Sequence, residues 1–175
     1  MIRHPFFVAT LLLIFNTLSA QSFSKCYEKY RKNPDGIDSI YIKTCYFSKY
    51  KFIQASYPDF QGRYYDSENE VYVLVNKKYI KIKNSKVFNK SQNELVSIIN
   101  KRIQKDFKKF STDTLTKECF TNIKFIPKYL MDDFEITFQK NEIWFEVNWR
   151  LSLVCLSVGG TAIPFKLAEI QKYLK

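Results

Sequence analysis

A chain of 175 residues with 17% aromatic residues and a formal net charge of +11 is long enough for one domain whose core does not depend on cross-links. Its one histidine, His4, falls in an N-terminal leader. The exported chain therefore lacks His-activated serine or cysteine nucleophiles and His-ligated zinc. The sequence assigns no catalytic residue, no metal ligand and no cofactor.

Residues 1–20 have the three parts of a secretory signal. Arg3 and His4 give a positive start, Phe6 to Phe15 an apolar run, and Leu18-Ser19-Ala20 a small-residue cleavage site before Gln21. The apolar run is shorter than the roughly 20 residues a span needs, so the leader is not read as membrane-spanning. Gln21 stands where a lipoprotein would need cysteine. The expectation is a protein released without lipid, periplasmic or secreted, with residues 21–175 as a single exported domain.

Four cysteines, Cys26, Cys45, Cys119 and Cys155, follow the leader. An even number in an oxidising compartment implies two bridges with three possible pairings. Asn33-Pro34-Asp35-Gly36 is a strong turn signal that folds Cys26 back near position 45. This favours Cys26–Cys45, which leaves Cys119–Cys155. No C-x-x-C spacing supports a zinc site.

In chain order, strands are expected over Ile37–Phe47 and Phe52–Tyr57, joined by Ser48-Lys49-Tyr50, with a turn at Pro58–Gly62. Val71–Val75 and Tyr79–Ile82 read as a hairpin around Asn76-Lys77-Lys78. Ser91-Gln92-Asn93-Glu94 has the form of a capping box. After it, Leu95, Ile98, Ile99, Ile103, Phe107 and Phe110 recur at helical spacing, which predicts an amphipathic helix over about 92–110. Further strands are expected over Ile123–Ile126, Phe134–Phe138, Ile143–Val147 and Leu151–Leu156. Val158-Gly159-Gly160-Thr161 matches a two-residue hairpin loop, and Leu167, Ile170 and Leu174 mark a short closing helix. The class is α+β: an antiparallel sheet of short strands, one face covered by the long helix, with a short C-terminal helix.

The charge is concentrated. Residues 71–110 carry eleven basic and two acidic side chains, whereas residues 111–175 carry eight of each. The candidate binding face comprises Lys77, Lys78, Lys81 and Lys83 of the hairpin with Lys101, Arg102, Lys105, Lys108 and Lys109 of the helix. Such a face suits an anionic lipid, lipopolysaccharide or an acidic protein. Lysine outnumbers arginine ten to one there, and lysine is a hydrated point charge that reads phosphate or guanine poorly. Sequence-specific nucleic-acid recognition is therefore not expected.

Two acidic groups, Asp66-Glu68-Glu70 and Asp132-Asp133-Glu135, read as exposed turns, and no pair of carboxylates spaced for glycoside hydrolysis is visible. Trp144 and Trp149 differ in strand parity, so they are not expected to form one stacking platform.

Phe134-Glu-Ile-Thr137, Ile143-Trp-Phe145 and Ala162-Ile-Pro-Phe165 before Leu167-Ala-Glu-Ile170 resemble the closing strands and helix of the exported domain of lysozyme-binding anti-sigma factors and their relatives. The resemblance covers about forty residues. It implies an α+β fold and an extracytoplasmic location. The chain lacks that family's Gly-Gly-Ala-His segment and its cytoplasmic and membrane-spanning parts, so no functional residue carries over. Lysozyme binding would set a basic protein against commonly basic partners, which disfavours association. The leading functional expectation is thus a non-enzymatic exported protein that binds an anionic envelope component or acidic partner. The alternatives are an exported enzyme using carboxylate or Lys/Tyr chemistry, and an inhibitor or immunity-type protein.

Overall fold

Strands in chain order build two antiparallel meanders. The computed structural model describes residues 25–32, 39–58, 65–123, 127–139, 141–149, 151, 155 and 158–175. The leader, the Asn33–Gly36 turn and most of the Pro58–Gly62 turn lie outside the described residues. Strands β1 (Lys25–Lys32), β2 (Ser39–Phe47), β3 (Tyr50–Pro58), β4 (Tyr65–Val75) and β5 (Lys78–Ile82) form one sheet in the order 1-2-3-4-5. Strands β6 (Glu135–Gln139), β7 (Glu142–Asn148) and β8 (Gly160–Lys166) form a second sheet in the order 6-7-8. Helix α1 (Gln92–Thr112) and the short α2 (Leu167–Ile170) complete the α+β fold.

Two positions with positive φ, Asn76 at 47° and Lys77 at 64°, turn β4 into β5 with Val75 opposite Lys78. This geometry suits the right-handed twist of a hairpin. In the larger sheet Cys45, Phe47, Tyr50, Phe52 and Val71 point inward by alternation. The smaller sheet offers Ile136, Phe138, Ile143, Phe145, Ile163 and Phe165 on one face. Helix α1 inserts Leu95, Ile99 and Ile103, all at 0% exposure. Strand β6 joins the layers, its Phe138 ring lying 4.7 Å from Phe52, while α1 packs along β8. One continuous core results.

Both disulfides, Cys26–Cys45 and Cys119–Cys155, are formed as the turn signal and elimination indicate. Cys26 and Cys45 are register partners on β1 and β2.

Several local expectations need correction. Ser91 precedes α1, but its side chain makes no cap. Instead the Ser91 N–H donates to Asn89 Oδ1, and Glu94 accepts from the Tyr173 hydroxyl rather than turning back to the helix start. Gly160 is not a hairpin-loop residue. It begins β8 opposite Asn148, and a Cβ there would meet the Val147 carbonyl oxygen at 2.2 Å. Its conservation of backbone space, rather than a turn, is what the glycine provides. The strand expected over Leu151–Leu156 is not found at its described positions. Leu151 is irregular and Cys155 has 3-10 geometry, where the second disulfide holds it. Ile123 is likewise outside any strand, and residues 124–126 lie outside the described residues.

Candidate functional site

The short β6–β7 hairpin sets Glu135 directly opposite Glu146, and Thr137 opposite Trp144. Directly opposed side chains share a face with Cβ atoms about 4.5–5.5 Å apart. Two carboxylates are therefore brought together that sequence spacing had kept apart. The expectation of an exposed acidic turn at 132–135 is overturned for Glu135, which is a half-buried strand residue. The signal was present in the alternation of Phe134–Phe138 and Ile143–Val147, had the two strands been paired across a two-residue loop.

Each carboxylate is held by neutral donors. The Ser67 hydroxyl and Asn69 Nδ2 donate to Glu135 Oε2 at 2.8 and 2.9 Å, and the Thr137 hydroxyl donates to Glu146 Oε1. Neither carboxylate forms an ion pair among the described residues. Burial raises the Glu135 pKa above the ordinary carboxylate value. The Glu146 charge raises it further, while the Ser67 and Asn69 hydrogen bonds pull it back.

Both glutamates line a solvent-open cleft of about 550 Å³ with Phe107, Tyr129, Lys128, Asp133, Asn148 and Trp149. Buried Asn100 of α1 fixes one wall. Its Nδ2 donates to the Val96 and Tyr129 carbonyls at 2.9 Å, and its Oδ1 accepts from the Tyr129 N–H at 2.9 Å. Asn84 donates to the Phe134 carbonyl at 2.7 Å, and Asp132 accepts from the N–H and hydroxyl of Ser85. Together they fix the approach to β6. Trp149, packed edge-on against Phe107 and Phe120, closes the far side. Its indole N–H has no acceptor among the described residues. Trp144 shares the face of β7 that carries Glu146 but stands outside the cleft lining and donates to Glu142 Oε2 at 3.1 Å, so the two indoles form no common platform.

A pH dependence follows from Glu135. Its folded pKa lies above its unfolded value, so the fold binds that proton more tightly than the unfolded chain does. The contribution of Glu135 to stability therefore falls as pH rises from the ordinary carboxylate range through the folded pKa. Carboxyl NMR titration should show Glu135 titrating above the ordinary carboxylate value, and Glu146→Gln should lower its pKa without returning it to that value. An unshifted Glu135 in the parent protein would contradict the pairing.

The basic candidates fall into two groups on different layers. Lys77, Lys78, Lys81 and Lys83 are exposed on or beside the β4–β5 hairpin. Lys81 is tied to Glu70 at 2.5 Å, and Glu70 also accepts from the Tyr72 hydroxyl at 2.6 Å. These two donors lower the Glu70 pKa. Glu68 and Glu70 thus belong to strand β4 rather than to an exposed turn. On α1, Arg102 donates to the Pro164 carbonyl at 3.1 Å and lies 4.4 Å from the centre of the Phe165 ring, so it serves the helix–sheet contact. Lys109 lies against Phe110, its Nζ 5.8 Å from the ring centre. Lys101, Lys105 and Lys108 are exposed without a carboxylate partner among the described residues.

The fold and site thus define an α+β protein with a lysine-bearing helix face and a carboxylate-bearing cleft. No protein-family model, curated protein or solved structure matches the chain. Among the described residues no helix is long and apolar enough to cross a membrane, and the two disulfides are compatible with a periplasmic or extracellular protein.

Proposed function

We propose that this is an exported protein that binds an anionic component of the cell envelope, or an acidic partner, through the outward lysines of α1. The supporting observation is the disposition of the two acidic residues of the 71–110 stretch. Glu94 is 3.5 Å from Lys172 and accepts from Tyr173, while Asp106 accepts from the Thr161 hydroxyl at 2.7 Å. Both acids are thereby directed to the C-terminal part of the chain. Lys101, Lys105 and Lys108 fall within about 60° of one another around the helix axis. They project opposite the buried Leu95–Ile99–Ile103 stripe. A second reading, an exported enzyme working through carboxylates, draws its support from the Glu135–Glu146 pair.

Binding to vesicles of anionic lipid, or to lipopolysaccharide, should weaken steeply as salt rises through the range where the Debye length is about 8–10 Å. A lysine near an anionic surface contributes about 1 kcal/mol, so replacing Lys101, Lys105 and Lys108 by Gln should weaken vesicle binding by up to about 3 kcal/mol. The fold should persist, because none of the three touches the core. Equal binding by parent and variant at low salt, or no binding by either, would leave the face a solubilising surface.

A further inference from the structure

One face of the five-stranded sheet sets Phe47 and Phe52 against Phe138 of β6. On the opposite face the strand registers line up one residue from each strand. Lys25 of β1 stands opposite Tyr46 of β2, and Tyr46 opposite Lys51 of β3. Lys51 in turn faces Tyr72 of β4, and Tyr72 faces Lys81 of β5. A row Lys-Tyr-Lys-Tyr-Lys therefore crosses the whole sheet. Tyr27 and Tyr79 widen it, with ring centres 6.0 and 6.2 Å from that of Tyr46, and both are exposed.

The row is charged as well as aromatic. Neighbouring strands are about 4.8 Å apart, so its lysine positions recur about every 9–10 Å. Lys25 and Lys51 form no ion pair among the described residues, whereas Lys81 is shared with Glu70. Lys51 Nζ lies 4.3 Å from the Tyr72 ring centre and 4.5 Å from that of Tyr79, which holds its ammonium group among the rings. Lysine beside tyrosine contributes to the stability of a solvated sheet. An unbroken run over five strands also makes a track with a fixed charge period.

That track discriminates among polyanions. Single-stranded nucleic acid gains affinity by stacking successive bases on aromatic faces. Here the Tyr27–Tyr46 and Tyr46–Tyr79 ring planes meet at 80° and 59°, and Lys51 stands over Tyr72 and Tyr79, so the rings offer no series of parallel shelves. Tyrosine hydroxyls both donate and accept hydrogen bonds, as sugar hydroxyls require. A pyranose ring is about as long as one strand spacing, so a polymer with an acid on every second sugar repeats its charge in step with alternate strands.

We propose that this outer face of the sheet binds an acidic polysaccharide with one carboxylate per disaccharide, laid across the strands. Its carboxylates meet Lys25, Lys51 and Lys81, and its hydroxyls meet Tyr27, Tyr46 and Tyr79. The surface belongs to a different layer from the lysines of α1 and does not rest on their role.

The test is calorimetric titration of the exported protein with a hyaluronan oligosaccharide, in which a uronic acid alternates with a neutral sugar. A chitin oligosaccharide of the same length supplies rings without charge, and an oligothymidylate supplies charge with bases. The hyaluronan oligosaccharide should bind at least about tenfold more tightly than either control. Lys51→Gln should weaken that binding by about fivefold or more. Lys25→Gln, at an exposed position, gives the same test if the first variant does not fold. Replacing Lys101, Lys105 and Lys108 by Gln should leave the oligosaccharide affinity unchanged, and Lys51→Gln should leave vesicle binding unchanged, so this proposal and the reading of α1 fail separately. The proposal is overturned by no binding, by either control binding as tightly as hyaluronan, by full affinity in a folded Lys51 or Lys25 variant, or by an equal loss in the α1 variant.

Discussion

Replacing Phe145 by Ala should destabilise the protein by about 3–5 kcal/mol, the range for deleting a fully buried aromatic side chain. Phe145 is 0% exposed, and its ring centre lies within 6.0 Å of those of Phe88, Phe134 and Phe165. It is therefore the point where the smaller sheet, the segment before α1 and the approach to β6 meet. These neighbours belong to separate elements, and moving one to fill the void would disturb its own hydrogen bonds. Urea denaturation should show a lower midpoint at unchanged slope. Phe145→Leu should lose less, because it leaves a smaller cavity. A loss below about 1 kcal/mol in the Ala variant would show that the site collapses or that Phe145 is not central.

Removing the Cys119–Cys155 bridge by paired Ala substitutions should have an effect of similar size. The cysteines are 36 positions apart, and loop closure of that length corresponds to about 3–4 kcal/mol in the chain-entropy treatment. The bridge also ties the 3-10 turn Lys117–Phe120 to the connection between β7 and β8. Phe120 in that turn packs against Phe107 and Trp149, so loosening it reaches the wall of the cleft. Thermal unfolding of the oxidised parent and the variant measures the effect. Intact stability after removal would make the bridge incidental.

The elements most legible in the sequence are those whose own residues determine their partners. The Leu95–Ile99–Ile103 spacing located α1 because one helix face carries the whole burial pattern. The β4–β5 hairpin was visible because its turn and alternation are adjacent. Strand β1 was not visible, since Lys25–Lys32 contributes no buried side chain and has no alternation to detect. Gly159-Gly160 misled for a related reason: a glycine required by close approach to Val147 looks the same in sequence as one required by a turn. The Glu135–Glu146 pair stayed hidden because it depends on strand register. Trp149 followed from parity, yet its place in a cleft depends on α1 and the 127–130 segment, which only the tertiary fold brings near.

Strand β1 brings only the partly buried Cys26 to the core, yet it covers the open hydrogen-bonding edge of β2, which carries Ile40, Ile42 and Phe47. One covalent link, Cys26–Cys45, fastens it at the correct register, and ring contacts such as Tyr27 with Tyr46 supplement the backbone ladder. With the sulfurs oxidised, the sheet ends in a border of Lys25, Lys29, Arg31 and Lys32, the kind of charged edge that resists pairing with other chains. Reduction would leave the β1–β2 ladder and these ring contacts alone to keep β1 over the apolar edge of β2. The Cys26–Cys45 bridge is thus a covalent guard on the sheet's border, working beside the mutual repulsion of a large positive charge.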